Sequence, residues 1–210
     1  MEEKNFKKLV EDPFILQSIA EYGFEAPTSI QNKTIPIIKE GRDVVGQSST
    51  GSGKTLAFAI PILEKVKSKN GIQAMIITPT RELCQQITKE FEKLARYKEV
   101  SIVEVYGGVS IMPQIQKLKE ANIVIGTPGR LLDLITRREI NLNNIVILVL
   151  DEADRMFDMG FIIDVRKIIN SLSKKRQTLM FSATFSPAVM KVANEYMRNP
   201  VTVKAKQYVD

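Results

Sequence analysis

Ile145-Val146-Ile147-Leu148-Val149-Leu150 are six consecutive apolar residues, and Asp151-Glu152-Ala153-Asp154 follow without a break. An uninterrupted, mostly branched run of this length reads as a strand buried on both faces, which places it inside a parallel sheet covered by helices. Three carboxylates cannot enter such a sheet. They stand at the strand's carboxyl end, the edge along which open α/β folds hold their ligands. Taken alone, the segment is explained equally well by a solvated acidic turn.

A second segment decides between those readings. Ser48-Ser49-Thr50-Gly51-Ser52-Gly53-Lys54-Thr55 lies between the short apolar stretch Val44-Val45 and the helical pattern Leu56-Ala57-Phe58-Ala59-Ile60. A glycine-rich turn from strand to helix presents backbone N–H groups to a polyphosphate, and the helix N-terminus adds partial positive charge. Lys54 would reach the outer phosphates and the Thr55 hydroxyl a Mg²⁺ ion. Ser48 stands where the generic phosphate-loop pattern has glycine. Asp151 can complete the Mg²⁺ site through water, so the two segments together specify a polyphosphate-Mg²⁺ site more strongly than either does alone. Lys54 is the one cation that a motif directs at the phosphates.

In chain order, Asp12-Pro13 opens a helix with Asp as N-cap and Pro at the first helical position, running to Tyr22-Gly23. Thr28 and Gln31 have capping-box spacing at the start of a helix that stops at Gly41. Gln31 has two readings: a cap, or an amide that pairs with the N6 and N7 edge of adenine. Further strands are expected at 74–78, 101–106, 122–126, 177–181 and 200–203. Helices should begin at Thr80, carrying Leu83, Ile87, Phe91 and Leu94 on one face, at Thr127-Pro128, after Met159-Gly160-Phe161, and at Ser186-Pro187. Strand and helix alternate throughout. The expected fold is therefore α/β, a parallel sheet of about seven strands with helices on both faces.

Pro79, Thr80 and Arg81, Gly107 and Gly108, and Thr127, Gly129 and Arg130 all follow directly on strands, as do Ser182 and Thr184. In a parallel sheet these ends share one edge. Glycines allow close backbone approach, hydroxyls donate hydrogen bonds, and arginines pair with phosphate, so the strip suits a sugar-phosphate backbone read without sequence preference. The net charge of +6 and the pI near 9.3 permit such a polyanionic partner. One cysteine, Cys84, and no histidine exclude an internal disulfide, a zinc site and His-based acid/base chemistry. No apolar run approaches the roughly 18 residues of a membrane span, so no membrane association is expected. The charged start Met1-Glu2-Glu3-Lys4 precedes no signal-like stretch, and a cytoplasmic monomer is the expectation.

These motifs, in this order, resemble the amino-terminal RecA-like P-loop NTPase domain of DEAD-box RNA helicases. The resemblance rests on Gly23-Phe24 to Gln31, Thr50 to Thr55, Pro79 to Leu83, Gly107-Gly108, Thr127 to Arg130, Asp151 to Asp154 and Ser182 to Thr184. Ser48 and Cys84 replace family alanines, and both are small. The resemblance implies that Gln31 reads adenine with Phe24 as stacking neighbour and that Thr50, Gly51, Ser52, Gly53, Lys54 and Thr55 hold ATP. It further implies that Asp151 holds Mg²⁺ through water and that Glu152 orients or deprotonates the attacking water. Asp154, Ser182 and Thr184 would couple the nucleotide site to RNA. The domain would span residues 1–203, including the adenine-reading segment 23–31, with 204–210 a tail or the start of a linker. The partners implied are RNA and a second RecA-like domain carrying the arginines that complete the ATP site. An ATP-gated RNA clamp, or a P-loop ATPase acting on another substrate, would need the same local motifs.

Overall fold

The computed structural model describes residues 5–49 and 51–205. Seven short strands form one all-parallel sheet: β1 (Val44–Gln47), β2 (Ala74–Ile77), β3 (Ile102–Val105), β4 (Ile123–Gly126), β5 (Ile147–Leu150), β6 (Gln177–Ser182) and β7 (Val201–Lys204). Their order across the sheet is β3-β4-β2-β5-β6-β1-β7. In register, Met75 of β2 faces Val124 of β4 on one side and Leu148 of β5 on the other. The apolar runs are strands because branched side chains fill both pleated faces, each buried side chain contributing about 1.5–3 kcal/mol.

The helices are α1 (Pro13–Glu21), α2 (Ser29–Lys39), α3 (Lys54–Lys65), α4 (Arg81–Leu94), α5 (Met112–Leu118), α6 (Pro128–Thr136), α7 (Ala153–Asp158), α8 (Ile162–Ser171) and α9 (Pro187–Tyr196), with a 3-10 turn at Phe6–Lys8. Helices α1 to α4 cover one face and α5 to α9 the other. The pleat divides the inner strands between the two cores, in β2 sending Ala74 and Ile76 to the first and Met75 and Ile77 to the second. Among the described residues, no helix is long and apolar enough to cross a membrane.

Several boundaries differ from the sequence reading. The run 145–150 is a strand only from Ile147. Val146 still makes backbone bonds with Gln73 and Gln177, but it lies at the sheet's amino edge and is 42% exposed. Leu83 is only half-buried, and Cys84 takes its place on the inner face of α4 at 0% exposure, where burial pushes the thiol up to about 12. Thr127 sits at the N-cap of α6 but its side chain makes no capping bond, whereas Asp12, Thr80 and Ser186 each cap as their sequence positions require. Lys204, expected in the tail, closes β7, and its carbonyl accepts a bond from Lys33 Nζ at 3.0 Å. Ala205 of the expected tail donates its N–H to Gln47 O at 2.9 Å, and 206–210 lie outside the described residues. Helices α5 and α7 have no counterpart in the sequence pattern, because seven and six residues are too few to display an apolar period.

Candidate functional site

Strand order divides the carboxyl edge into two halves. The ends of β5, β6 and β1 are neighbours and bring Asp151–Asp154, Ser182–Thr184 and the phosphate loop together. The ends of β3, β4 and β2 gather Gly107-Gly108, Thr127–Arg130 and Pro79–Arg81 on the other half. One further ladder bond beyond a strand pins several of these residues. Asp151 N–H donates to Ile77 O at 2.9 Å, Ser48 N–H to Ser182 O at 3.0 Å and Thr127 N–H to Val105 O at 3.1 Å.

The loop after β1 turns through Gly51 and Gly53, at φ of 80° and 83°. Such angles favour glycine, and a Cβ on Gly53 would lie 2.6 Å from Gln31 Nε2. Gln31 is 3% exposed and both ends of its amide are engaged. Its Oε1 accepts the Thr28 N–H at 2.9 Å, as a capping box requires, and its Nε2 donates to Gly53 O at 2.9 Å. The residue therefore caps α2 and also buttresses the loop, 22 positions away. Phe24 is half-buried against the same core. Thr50 lies outside the described residues; Ser52 Oγ is buried with no hydrogen-bond partner among them. Thr55 stands half-buried in the first turn of α3.

Lys54, the first residue of α3, points into the acidic strand end. Its Nζ lies 3.1 Å from Asp151 Oδ1 and 3.3 Å from Glu152 Oε1, with all three side chains at most 10% exposed. Burial pushes the Asp151 carboxyl up and Glu152 adds to that, while Lys54 opposes both; the net direction is upward. One ammonium is thus shared by two buried carboxylates directly beside the phosphate loop. Glu152 also has a left-handed backbone, φ 51° and ψ 51°, a conformation that costs about 1–3 kcal/mol and collects at functional positions. Sequence reasoning found Lys54 as the one cation here; the structure adds Arg155, whose Nη1 lies 3.3 Å from Glu152 Oε2.

Asp154 is fastened to the end of β6. Thr184 donates both its N–H (3.0 Å) and its hydroxyl (2.9 Å) to Asp154 Oδ2, and Ser182 Oγ accepts the Asp154 N–H at 3.2 Å. Burial raises the Asp154 pKa, but the Thr184 bonds and the Arg155 N–H more than offset it, and the net shift is below the ordinary 3.8. A depressed native pKa stabilises the fold above the unfolded value and is lost as pH falls through the native one. Thr184→Val should therefore cost about 0.5–1 kcal/mol at pH 7, low for a bond to a charge because Thr184 is exposed. Urea unfolding should show that difference shrinking below about pH 3.8; a difference unchanged in acid would contradict it.

On the other half of the edge, the Arg81 guanidinium lies 4.8 Å from the centroid of the Tyr106 ring, and Thr80 Oγ1 caps α4 by accepting the Leu83 N–H at 3.3 Å. Arg130 donates to Gln114 Oε1 and to Val109 O, both at 3.0 Å, while Gln114 Nε2 donates to Tyr106 O at 3.1 Å. Gly107, Gly108 and Gly129 are exposed, and Thr127 is half-buried. Pro79 is buried, so it shapes the turn rather than offering a surface. Tyr106 and Gln114, which fix the two arginines, carry no signal of their own in the sequence.

The sequence model described as DEAD/DEAH box helicase matches residues 28–192. Over 207 residues the chain is 48% identical to a probable ATP-dependent RNA helicase of Methanocaldococcus jannaschii, covering 98% of this chain and 56% of that protein. It is 46% identical to the ATP-dependent RNA helicase CshA of Listeria monocytogenes, covering 93% of this chain and 38% of that one. Among solved structures, a DEAD box protein from the hyperthermophile Methanococcus jannaschii superposes with a TM-score of 0.94 at 49% identity, over 96% of this chain and 56% of that one. A hypothetical ATP-dependent RNA helicase from Sulfolobus tokodaii gives 0.87 at 41%, over 93% and 57%. The chain thus spans a little over half the length of some of these relatives and about two fifths of another.

Proposed function

The chain belongs to the DEAD/DEAH box helicase family, and from that premise we propose that it is the amino-terminal RecA-like domain, residues 1–203, of an ATP-dependent RNA helicase. It binds ATP-Mg²⁺ and the RNA backbone. Joined to a second RecA-like domain, it couples hydrolysis to local unwinding or remodelling of RNA, as a monomer in the cytoplasm. The observation that carries this reading is the division of one sheet edge, with Lys54 against Asp151 and Glu152 on one half and Arg81 and Arg130 beside exposed glycines on the other.

The residues present fit Mg²⁺. Lys54 cannot serve a phosphate and two carboxylates at once, so drawing it to the nucleotide leaves the buried Asp151 in need of a second cation, while Glu152 keeps Arg155. Asp151, through water, and the Thr55 hydroxyl would hold that ion, and its charge would neutralise the phosphate oxygens. The loop 50–55 cradles the phosphates, with Lys54 on the outer ones. Gln31 and Phe24 take the adenine, and Glu152 orients or deprotonates the attacking water. Asp154, Ser182 and Thr184 couple this site to the strip. Pro79, Thr80, Arg81, Gly107, Gly108, Thr127, Gly129 and Arg130 form or shape the RNA surface.

Two parts of one binding and turnover study test the reading. Calorimetry should show ADP preferred over GDP, because guanine presents O6 where adenine presents N6, a mismatch of about 1–3 kcal/mol at the Gln31 amide. Gln31→Ala should remove that preference, with thermal unfolding followed in parallel because the same amide caps α2. In the full-length protein, ATP turnover should rise with single-stranded RNA and not with DNA of the same sequence, the 2′-hydroxyl being the distinguishing group. Equal affinity for ADP and GDP, or equal stimulation by DNA, refutes the corresponding half.

A further inference from the structure

The Glu152 carboxylate is held at both ends. Lys54 Nζ lies 3.3 Å from Oε1, and Arg155 Nη1 lies 3.3 Å from Oε2. The two cations differ in what else they can do. Lys54 is buried beside the phosphate loop and must leave Glu152 when it engages a phosphate. Arg155 is half-exposed, on the first turn of α7, three residues along from Glu152. That turn is itself fastened: the Arg155 N–H donates to Asp154 Oδ1 at 3.0 Å, and Asp154 Oδ2 is held by Thr184.

We propose that Arg155 is a positioning residue that acts through Glu152, keeping hold of Oε2 when Lys54 departs so that Oε1 stays turned toward the nucleotide and its attacking water. The inference rests on the functional reading above. A carboxylate anchored at one oxygen loses the freedom to rotate away, and a small error in the placing of a catalytic group can cost up to about 10²-fold in rate. The arrangement also gives the Ser182–Thr184 segment a short physical route to Glu152, through Asp154 and the first turn of α7. A guanidinium suits the role because it holds a carboxylate in a fixed planar geometry, where an ammonium supplies charge alone.

The test uses Arg155→Ala and Arg155→Lys, each made with Glu152 intact and with Glu152→Gln. RNA-stimulated turnover is measured in the full-length protein, with residual single-turnover hydrolysis for the Gln background; ADP affinity and melting temperature are measured on the 210-residue chain. Arg155→Ala should lower kcat roughly 10-fold, with KM for ATP and affinity for ADP within about twofold. Arg155→Lys should recover only part of the loss. In the Glu152→Gln background the same alanine change should have less than about a twofold effect, since a residue that acts through Glu152 has nothing left to position. An unchanged kcat overturns the proposal. So does a loss that persists in the Gln background, or a rise in KM that accounts for it, because either would mean that Arg155 contacts the nucleotide or RNA directly. Wild-type protein that neither binds ADP nor responds to RNA would sink the functional reading itself, and this proposal with it.

Discussion

Purified alone, the 210-residue chain should bind ADP but hydrolyse ATP no faster with RNA than without it, and should leave a short RNA duplex intact. Among the described residues, the cations paired with the acidic strand end are Lys54 and Arg155. On the proposed reading Lys54 is taken up by the outer phosphates, and Arg155 faces Glu152. Phosphoryl transfer gains about 10³ to 10⁵ in rate from an arginine brought in by a facing domain or partner, and the proposed reading places that arginine on the second RecA-like domain. On the same reading the strip at β3, β4 and β2 is one wall of a groove, so its affinity for RNA should be weak and fall steeply with salt. Adding the second domain, fused or less efficiently in trans, should restore both activities. A steady-state assay of the isolated chain is sufficient, and robust RNA-stimulated turnover there would place the catalytic arginine within these residues.

Lys54→Ala and Glu152→Gln should fail in different ways. Removing the Lys54 ammonium takes away a charge-assisted phosphate contact of about 1.5–3 kcal/mol, roughly 10- to 100-fold in nucleotide affinity. It also leaves Asp151, 2% exposed at its side chain, and Glu152 without their buried counter-ion. The melting temperature should therefore fall as well, since breaking a buried pair on one side costs about 3–5 kcal/mol. Glu152→Gln removes one of the two groups that compete with phosphate for Lys54, so nucleotide affinity should be equal or higher. Turnover in the full-length protein should nevertheless drop about 10²- to 10⁴-fold, the usual contribution of a positioned general base. Calorimetry with ATP-Mg²⁺ separates the two cases. If Glu152→Gln bound as weakly as Lys54→Ala, Glu152 would belong with the metal rather than with the water.

The sequence by itself determined whatever depends on neighbours along the chain. The all-apolar runs give the core of β2, β4 and β5, because apolar residues without polar interruption suit a pleat buried on both sides. Asp12, Thr80 and Ser186 cap their helices because an N-cap oxygen reaches only the N–H groups two or three residues on. The order and spacing of the motifs are likewise linear information, and they identify the family. Tertiary structure decided what depends on strands that are distant in sequence. Nothing local to β1 states that it lies beside β6 and three places from β2, yet that order separates the phosphate half of the edge from the arginine half. The cap at Gln31 is legible from Thr28, but its bond to Gly53 O exists only because α2 packs on α3. Lys54 meets Asp151 97 positions away because β1 and β5 end at one edge, with β6 between them. Arg155 is a different case, since it is only three residues from Glu152. No sequence pattern marks it, because α7 is six residues long and its start is set by the left-handed turn at Glu152 and the bonds to Ser182 and Thr184, and none of these follows from local propensity.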